Sequence, residues 1–133
     1  MVLRCVVTTP ERTQLDEEVR SVVLPMDDGQ LGVLPGRAPL VGRLGYGILK
    51  YETSGGSKEL FVDGGFVQIE GNVISVLTSR ALNPSALDLA TAEKAMDAAT
   101  AMPGGSPALT LLRDTAVRRA RGQIQVARRS HAS

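Results

Sequence analysis

The chain has 133 residues, is 43% hydrophobic and 22% charged, and carries a formal net charge of +1, which suits one globular domain with a small appendage. Its longest uninterrupted apolar runs are a few residues, far below the roughly 20 needed to span a bilayer, so no membrane-spanning helix is predicted. One cysteine and one histidine leave no internal disulfide and a poor metal set.

The opening MVLRCVVTTPER lacks a signal peptide's long apolar core and the amphipathic, Arg/Ser-rich character of a transit sequence. A cytosolic chain, or a peripheral part of a membrane complex, is expected. Cys5 lies in the apolar run LRCVV and reads as a buried structural thiol. His131, close to the C-terminus, is expected to fray and to be neither ligand nor base.

Up to about residue 80 the chain is a series of short β-like runs. They are LRCVVTT, RTQLDEEVRSVVLP, QLGVLP, LVGRLGYGILKYE, KELFVDG, GFVQIEG and NVISVLTS. Thr9-Pro10, Asp28-Gly29, Pro35-Gly36, Gly55-Gly56, Gly64-Gly65 and Gly71-Asn72 punctuate them. Turns recurring about every dozen residues point to an antiparallel sandwich or a flattened barrel. The stretch GVLPGRAPLVGRLGYGIL, residues 32–49, holds five glycines and two prolines in an otherwise strand-like run. Pro35-Gly36 and Pro39 are expected to shape a tight corner that holds Arg37 outward. Gly42, Gly45 and Gly47 should leave a low strand face that a bulge or another subunit's backbone could approach.

After residue 83 the period changes. Asn83-Pro84-Ser85 offers a helix start with Pro in the first turn. SALDLATAEKAMDAATAM is dense in alanine, the best helix former, and MPGGSP breaks it at residues 102–107. A second helix follows, with an apolar seam of Leu109, Leu112, Ala116, Ala120, Ile124 and Ala127. The short break makes the two helices antiparallel neighbours. Ala86, Ala90, Ala95, Ala98 and Ala99 would allow close approach, but alanines bury little area. The hairpin should therefore be marginal alone and able to detach.

Charge divides along the same line. Residues 1–84 carry 8 basic and 10 acidic groups, whereas residues 85–133 carry 7 basic and 4 acidic ones. Arg113, Arg118, Arg119, Arg121, Arg128 and Arg129 stand against Asp114 alone in the last helix. This fits either an acidic partner or an ordinary solvated helix face.

The catalytic inventory is thin. A nucleophile triad needs a positioned base, and His131 is badly placed. Asp16-Glu17-Glu18 and Asp27-Asp28 are carboxylate runs of the kind that usually face water. LPGRAP lacks the Gly-Lys-Ser/Thr of a phosphate loop, and Gly42, Gly45 and Gly47 open no helix, as a dinucleotide fingerprint must. Single-strand nucleic-acid readers interleave basic groups with stacking aromatics, and the basic helix has no aromatic residue. Binding or mechanical coupling is the better class, with no enzyme activity, no cofactor and no nucleic-acid partner expected.

The segment VVTTPERTQLDEEVRSVVLPMDDGQLGVLPGRAPLVGRLGYGILKY closely resembles the opening of the epsilon subunits of F-type ATP synthases. KELFVDGGFVQIEGNVISVLTS is similar to that family's F-V-S-G-G-F-x-E-V-x-x-N-x-V-T-V-L run. The most specific match is G-x-L-G-V/I-L-P-G-x-A-P-L, met here by Gly29 to Leu40. The resemblance covers nearly all of residues 4–80, and the hairpin agrees in type and order.

It implies an α+β chain: an antiparallel β-sandwich of about ten strands over residues 1–83, then an antiparallel two-helix hairpin over residues 84–133. It also implies a non-catalytic part of the central rotor stalk, working in proton-driven ATP synthesis. The expected partners are the gamma subunit and the polar loops of the c-ring for the sandwich, and the alpha/beta catalytic hexamer for an extended, inhibitory hairpin. The expected place is peripheral, on the cytoplasmic side of the inner or plasma membrane, with no direct insertion.

Residue by residue, the family's E-G-E-L-G turn reads Asp28-Gly29-Gln30-Leu31-Gly32, so Gln30 keeps polarity and loses charge. The family's P-G-H-A-P reads Pro35-Gly36-Arg37-Ala38-Pro39, which replaces a switchable histidine by a permanent cation. Gln30, Arg37, Pro39 and Leu40 are accordingly placed at the rotor interface, with an ordinary surface turn as the plainer reading of Gln30. Arg113, Arg118, Arg119 and Arg121 are placed against an acidic loop of the catalytic beta subunit. Some relatives bind ATP through Ile/Leu-Asp-x-x-Arg-Ala; this chain has Leu87-Asp88-Leu89-Ala90-Thr91-Ala92, with Thr91 for the arginine and Gln123 where a second cation can stand. The site formed by Leu87, Asp88 and Arg119 is therefore expected to be degenerate. The competing reading is a free-standing binding module that uses the sandwich for a ligand or the basic helix for RNA.

Overall fold

The computed structural model describes residues 2–131, and the side chains of residues 2–129. The expected fraying of His131 lies outside the described side chains. The chain divides into two compact units after Asn83.

The first unit contains eight strands: β1 (Leu3–Thr8), β2 (Thr13–Val19), β3 (Ser21–Met26), β4 (Gly29–Val33), β5 (Leu40–Thr53), β6 (Gly56–Glu70), β7 (Val73–Leu77) and β8 (Ala81–Leu82). Hydrogen bonds join them in the order β2-β1-β7-β6-β5-β3-β4, with β8 added against β6. Successive strand side chains point to opposite faces, and the buried set follows that period: Leu3, Cys5 and Val7 in β1, Val22 and Leu24 in β3, Val67 and Ile69 in β6, Ile74 and Val76 in β7. These residues meet in one hydrophobic core.

The described strands number eight where the resemblance implies about ten, and Gly64-Gly65 does not end a strand. β6 runs through it, pairing β8 with its first half (Phe61↔Leu82) and β7 with its second (Phe66↔Leu77). β5 stays with it throughout, and the register passes from Leu44↔Gly65 to Tyr46↔Asp63 at the bend. Gly65 has φ 112, and a Cβ there would collide with the Leu77 carbonyl. Only glycine fits. β5 and β6 thus serve both layers of the sandwich, and β2 comes against β5 across the fold. The reverse error occurs at Arg20, which splits the expected single run RTQLDEEVRSVVLP into β2 and β3.

The sheet is mixed, not purely antiparallel. β1 runs parallel to β7, from Arg4↔Val73 to Thr8↔Leu77. Parallel pairing needs a long connection, and β1 and β7 are separated by most of the sandwich sequence. Backbone bonds from Arg4 N to Asn72 O (2.9 Å) and from Thr78 N to Thr8 O (3.1 Å) secure both ends of that pair.

The second unit holds a 3-10 turn, Pro84–Ala86, then α1 (Leu89–Thr100) and α2 (Pro107–His131). Asn83-Pro84 therefore opens the 3-10 turn, and Asp88 is the cap of α1, accepting from Thr91 N at 3.1 Å. Competition is the reason: a carboxylate caps well, and Asp88 is better placed before the long alanine run. α2 begins with Ser106 accepting from Leu109 N at 3.1 Å and Pro107 in the first turn. The seam is narrower than its spacing suggests. Ala92, Ala99, Ala120, Val126 and Ala127 are buried, whereas Leu109 and Leu112 are exposed. Beside the hairpin turn, α1 ends in the small exposed residues Ala98, Thr100 and Ala101, which offer little to cover a leucine.

Candidate functional site

Between β4 and β5 the chain makes the corner Leu34–Pro39. Arg37, Ala38 and Pro39 are all exposed, and Leu40 is half-buried at the start of β5. Gly36, with φ 86, donates its backbone N–H to Asn72 Oδ1 at 2.8 Å. The corner is thereby tied to the β6–β7 turn.

The corner forms one wall of an open cleft of about 410 Å3, lined among others by Asp27, Asp28, Gln30, Arg37, Leu40 and Arg43. Three of the four residues expected at a rotor interface, Gln30, Arg37 and Leu40, thus share one cleft, and Pro39 is exposed beside it on the corner. Asp27, Asp28 and Arg37 make no ion pair among the described residues, whereas Arg4 Nε and Asp16 Oδ1 pair at 2.7 Å on β1 and β2. The cleft is therefore a polar surface of mixed sign, with its charges facing outward.

The low face at Gly42, Gly45 and Gly47 is filled from within the chain. β3 shifts register against β5 between Val23 and Met26, and the displaced segment lies over the glycines. A Cβ on Gly42 would collide with Met26 Cε, and one on Gly45 would come within 3.0 Å of the Met26 carbonyl oxygen. Of the two expected occupants, a bulge or another subunit's backbone, the described residues show a bulge, with Met26 and Pro25 over the glycines.

Sequence reasoning missed the outer face of the β5–β6–β7 sheet. Arg43, Phe66 and Leu77 are successive partners across it, as are Val41, Gln68 and Ser75 in the next row. Val41 is 73% exposed, Phe66 53% and Leu77 59%. A shallow depression lined by Thr8, Thr9, Pro10, Leu77, Thr78 and Ser79 continues the face toward β1. Clustered exposed apolar groups of this kind mark interaction surfaces. The signal was available: in GFVQIEG and NVISVLT the polar face of each strand carries a large apolar residue, Phe66 and Leu77.

In the hairpin, the four arginines do not form one group. Arg113 Nη2 donates to Thr100 O at 3.4 Å and so caps the end of α1. Arg118 and Arg121, three residues apart, share an exposed helix face, and Arg119 lies about 100° round from Arg118. Asp88 Oδ2 accepts from Thr91 Oγ1 at 2.6 Å as well as from Thr91 N. Leu87 is buried. The Asp88–Thr91 pair is a helix cap built from two positions of the expected nucleotide motif.

The described residues offer little chemistry. They contain no cluster of three His, Cys, Asp or Glu arranged to hold a metal. Cys5 is fully buried, and its thiol is pushed from 9.0 up to about 12, first by burial and then by Glu17 across the β1–β2 pair. Such a thiol is inert at neutral pH. None of the described helices is long and apolar enough to cross a membrane.

Residues 2–84 match the family described as ATP synthase, Delta/Epsilon chain, beta-sandwich domain. The ATP synthase epsilon chain of Rhodopirellula baltica is 52% identical over 128 residues, which covers 96% of this chain and 100% of that one.

The chain belongs to the ATP synthase epsilon-chain family.

The chloroplastic epsilon chain of Pyropia yezoensis is 33% identical, with 96% of each chain covered. In structure, a chain of the Euglena gracilis mitochondrial ATP synthase superposes with a TM-score of 0.76 at 24% identity, covering 91% of this chain and 78% of that one. Its likeness is one of fold. As an epsilon-family chain the protein is a non-catalytic, rotor-stalk subunit of the synthase and not an enzyme in its own right. The free-standing module is thereby set aside.

Proposed function

We propose that the sandwich of this chain joins the gamma subunit to the c-ring, and that the hairpin restrains ATP hydrolysis. The observation that carries the reading is the adjacency of two surfaces on one sheet. The exposed face of Val41, Phe66 and Leu77, with Arg43 among them, suits a large protein partner, and it adjoins the polar cleft of Gln30, Arg37 and Leu40 through Val41 and Arg43, which belong to both. In this reading gamma takes the apolar face, and the cleft and corner, with Pro39, meet the polar loops of the ring. The chain then works peripherally, on the cytoplasmic side of the membrane, during proton-driven synthesis.

The hairpin's part rests on charge. Arg118, Arg119 and Arg121 lie on α2 and meet an acidic loop of the catalytic beta subunit when the hairpin extends. Arg113 holds the end of α1 instead, and joins them once that contact opens. Exposed ion pairs contribute only about 0–1 kcal/mol each, so several must act together. Unit 1 alone should restore coupling, and unit 2 should set the rate of hydrolysis. Reconstituting the synthase with residues 1–83 tests both: hydrolysis that does not rise above the full-length level removes the inhibitory role.

A further inference from the structure

We propose that Asn72 is the positioning residue of the docking corner, holding Pro35–Pro39 in the shape that meets the rotor. The proposal rests on the docking reading above and deepens it.

The β6–β7 hairpin closes at Glu70↔Val73 with a two-residue loop, Gly71-Asn72. Both loop residues have positive φ, 59 for Gly71 and 62 for Asn72, the pattern of a type I′ turn. Asn72 is the one non-glycine residue with positive φ among the described residues. As far as the turn is concerned, glycine would serve at that position without steric cost. The side chain has a use elsewhere. Its Oδ1 accepts the N–H of Gly36, 36 residues earlier in the chain.

The backbone carbonyl of the same residue accepts the N–H of Arg4 at 2.9 Å. Asn72 therefore fastens three segments: the start of β1, the β6–β7 turn and the β4–β5 corner. The corner has no strand partner among the described residues, and Leu34, Gly36, Arg37, Ala38 and Pro39 are all exposed. Gly36 is its most deformable residue, and that residue is the one tethered. A loop already held in its bound shape loses less entropy on docking, so the tether acts on binding through Arg37 and Pro39 without touching the partner.

The test compares Asn72→Gly with Asn72→Asp in the full chain. Glycine keeps the turn and removes the acceptor; aspartate keeps both the acceptor and a tolerance for positive φ. Two readouts are needed: amide hydrogen exchange at Gly36 in the free chain, and the dissociation rate from a gamma–c-ring assembly. Asn72→Gly should speed Gly36 exchange by about tenfold, the equivalent of one ordinary hydrogen bond, and should speed dissociation while lowering the melting temperature by no more than a few degrees. Asn72→Asp should restore both values. Unchanged Gly36 exchange in Asn72→Gly overturns the tether. Faster exchange with unchanged dissociation overturns the positioning role, provided Arg37→Glu weakens docking. If Arg37→Glu binds as well as the wild type, the docking reading itself fails, so the two failures are told apart.

Discussion

The Arg43 guanidinium carbon lies 5.7 Å from the centroid of the Phe66 ring, on directly paired residues of β5 and β6. Both side chains stand on the outward side of the sheet, where Phe66 is half exposed. A cation over an aromatic face is attracted by the ring quadrupole, by about 0.5–1 kcal/mol at exposed sites. The pair belongs to the exposed apolar face and reaches the polar cleft through Arg43, and the contact favours one attitude of the ring.

Phe66→Asp should weaken binding to the gamma subunit by about 2 kcal/mol or more, the size typical of a central aromatic anchor. The same substitution should leave the melting temperature within a few degrees, because the ring makes little of the core. Calorimetric titration of gamma into the two chains, with thermal melts alongside, measures both. A large loss of stability would move Phe66 from the interface into the fold.

Gly45→Ala should cost more stability than Gly42→Ala. The obstacle at Gly42 is the Met26 methyl, the far end of a flexible side chain, whereas at Gly45 it is the Met26 backbone carbonyl. Overpacking against rigid backbone costs about 1–3 kcal/mol; a methyl that swings aside costs less. Urea titrations of both variants decide the order. Equal losses would mean that the β3 segment moves as a body.

Stability should fall as pH rises above about 9. The Cys5 thiol has a folded pKa raised from 9.0 to about 12, so between those values the unfolded chain loses its proton while the folded chain keeps it. The contribution is fully present below pH 9 and is lost toward pH 12, at about 1.4 kcal/mol per pH unit. Tyr51 is raised in the same direction, by burial first and then by Glu17 and Cys5. Cys5→Ala should flatten the pH dependence between pH 9 and 11, whatever it does to stability at pH 7. An unaltered slope would assign the loss to other groups.

The hairpin should show no saturable ATP binding at millimolar concentrations. Thr91 stands where the nucleotide motif has an arginine, and its hydroxyl bonds the Asp88 carboxylate at 2.6 Å. A cation is missing and its place is occupied by a cap. Isothermal calorimetry with ATP measures this directly, and a stoichiometric heat signal would refute it. Asp88→Ala should lower hairpin stability by about 1 kcal/mol, the ordinary worth of an N-cap.

The layered β-sandwich followed by a helical hairpin was legible because period 2 and period 3.6 leave different marks on a sequence. The bends were not. Gly64-Gly65 reads as a turn from composition, and only the pairing of β5 along the whole of β6 shows that the strand continues. The parallel contact of β1 with β7 was also hidden, since it joins residues at the two ends of the sandwich sequence. In the site, the family motif pointed to Gln30, Arg37, Pro39 and Leu40, and the cleft brought three of them together. Phe66 and Leu77 escaped notice because each looked like one more strand residue until its register placed it on the outward face. Sequence groups Arg113 with the other arginines, and helical spacing cannot reveal its bond to Thr100.

The central claim is that unit 1 couples the rotor and unit 2 restrains it. The most direct measurement is ATP hydrolysis and ATP-driven proton pumping by synthase stripped of this chain and rebuilt with either the full chain or residues 1–83. The account predicts that both chains restore pumping, and that the shorter one gives the higher hydrolysis rate. Failure of residues 1–83 to restore pumping, or equal hydrolysis with both chains, would contradict it.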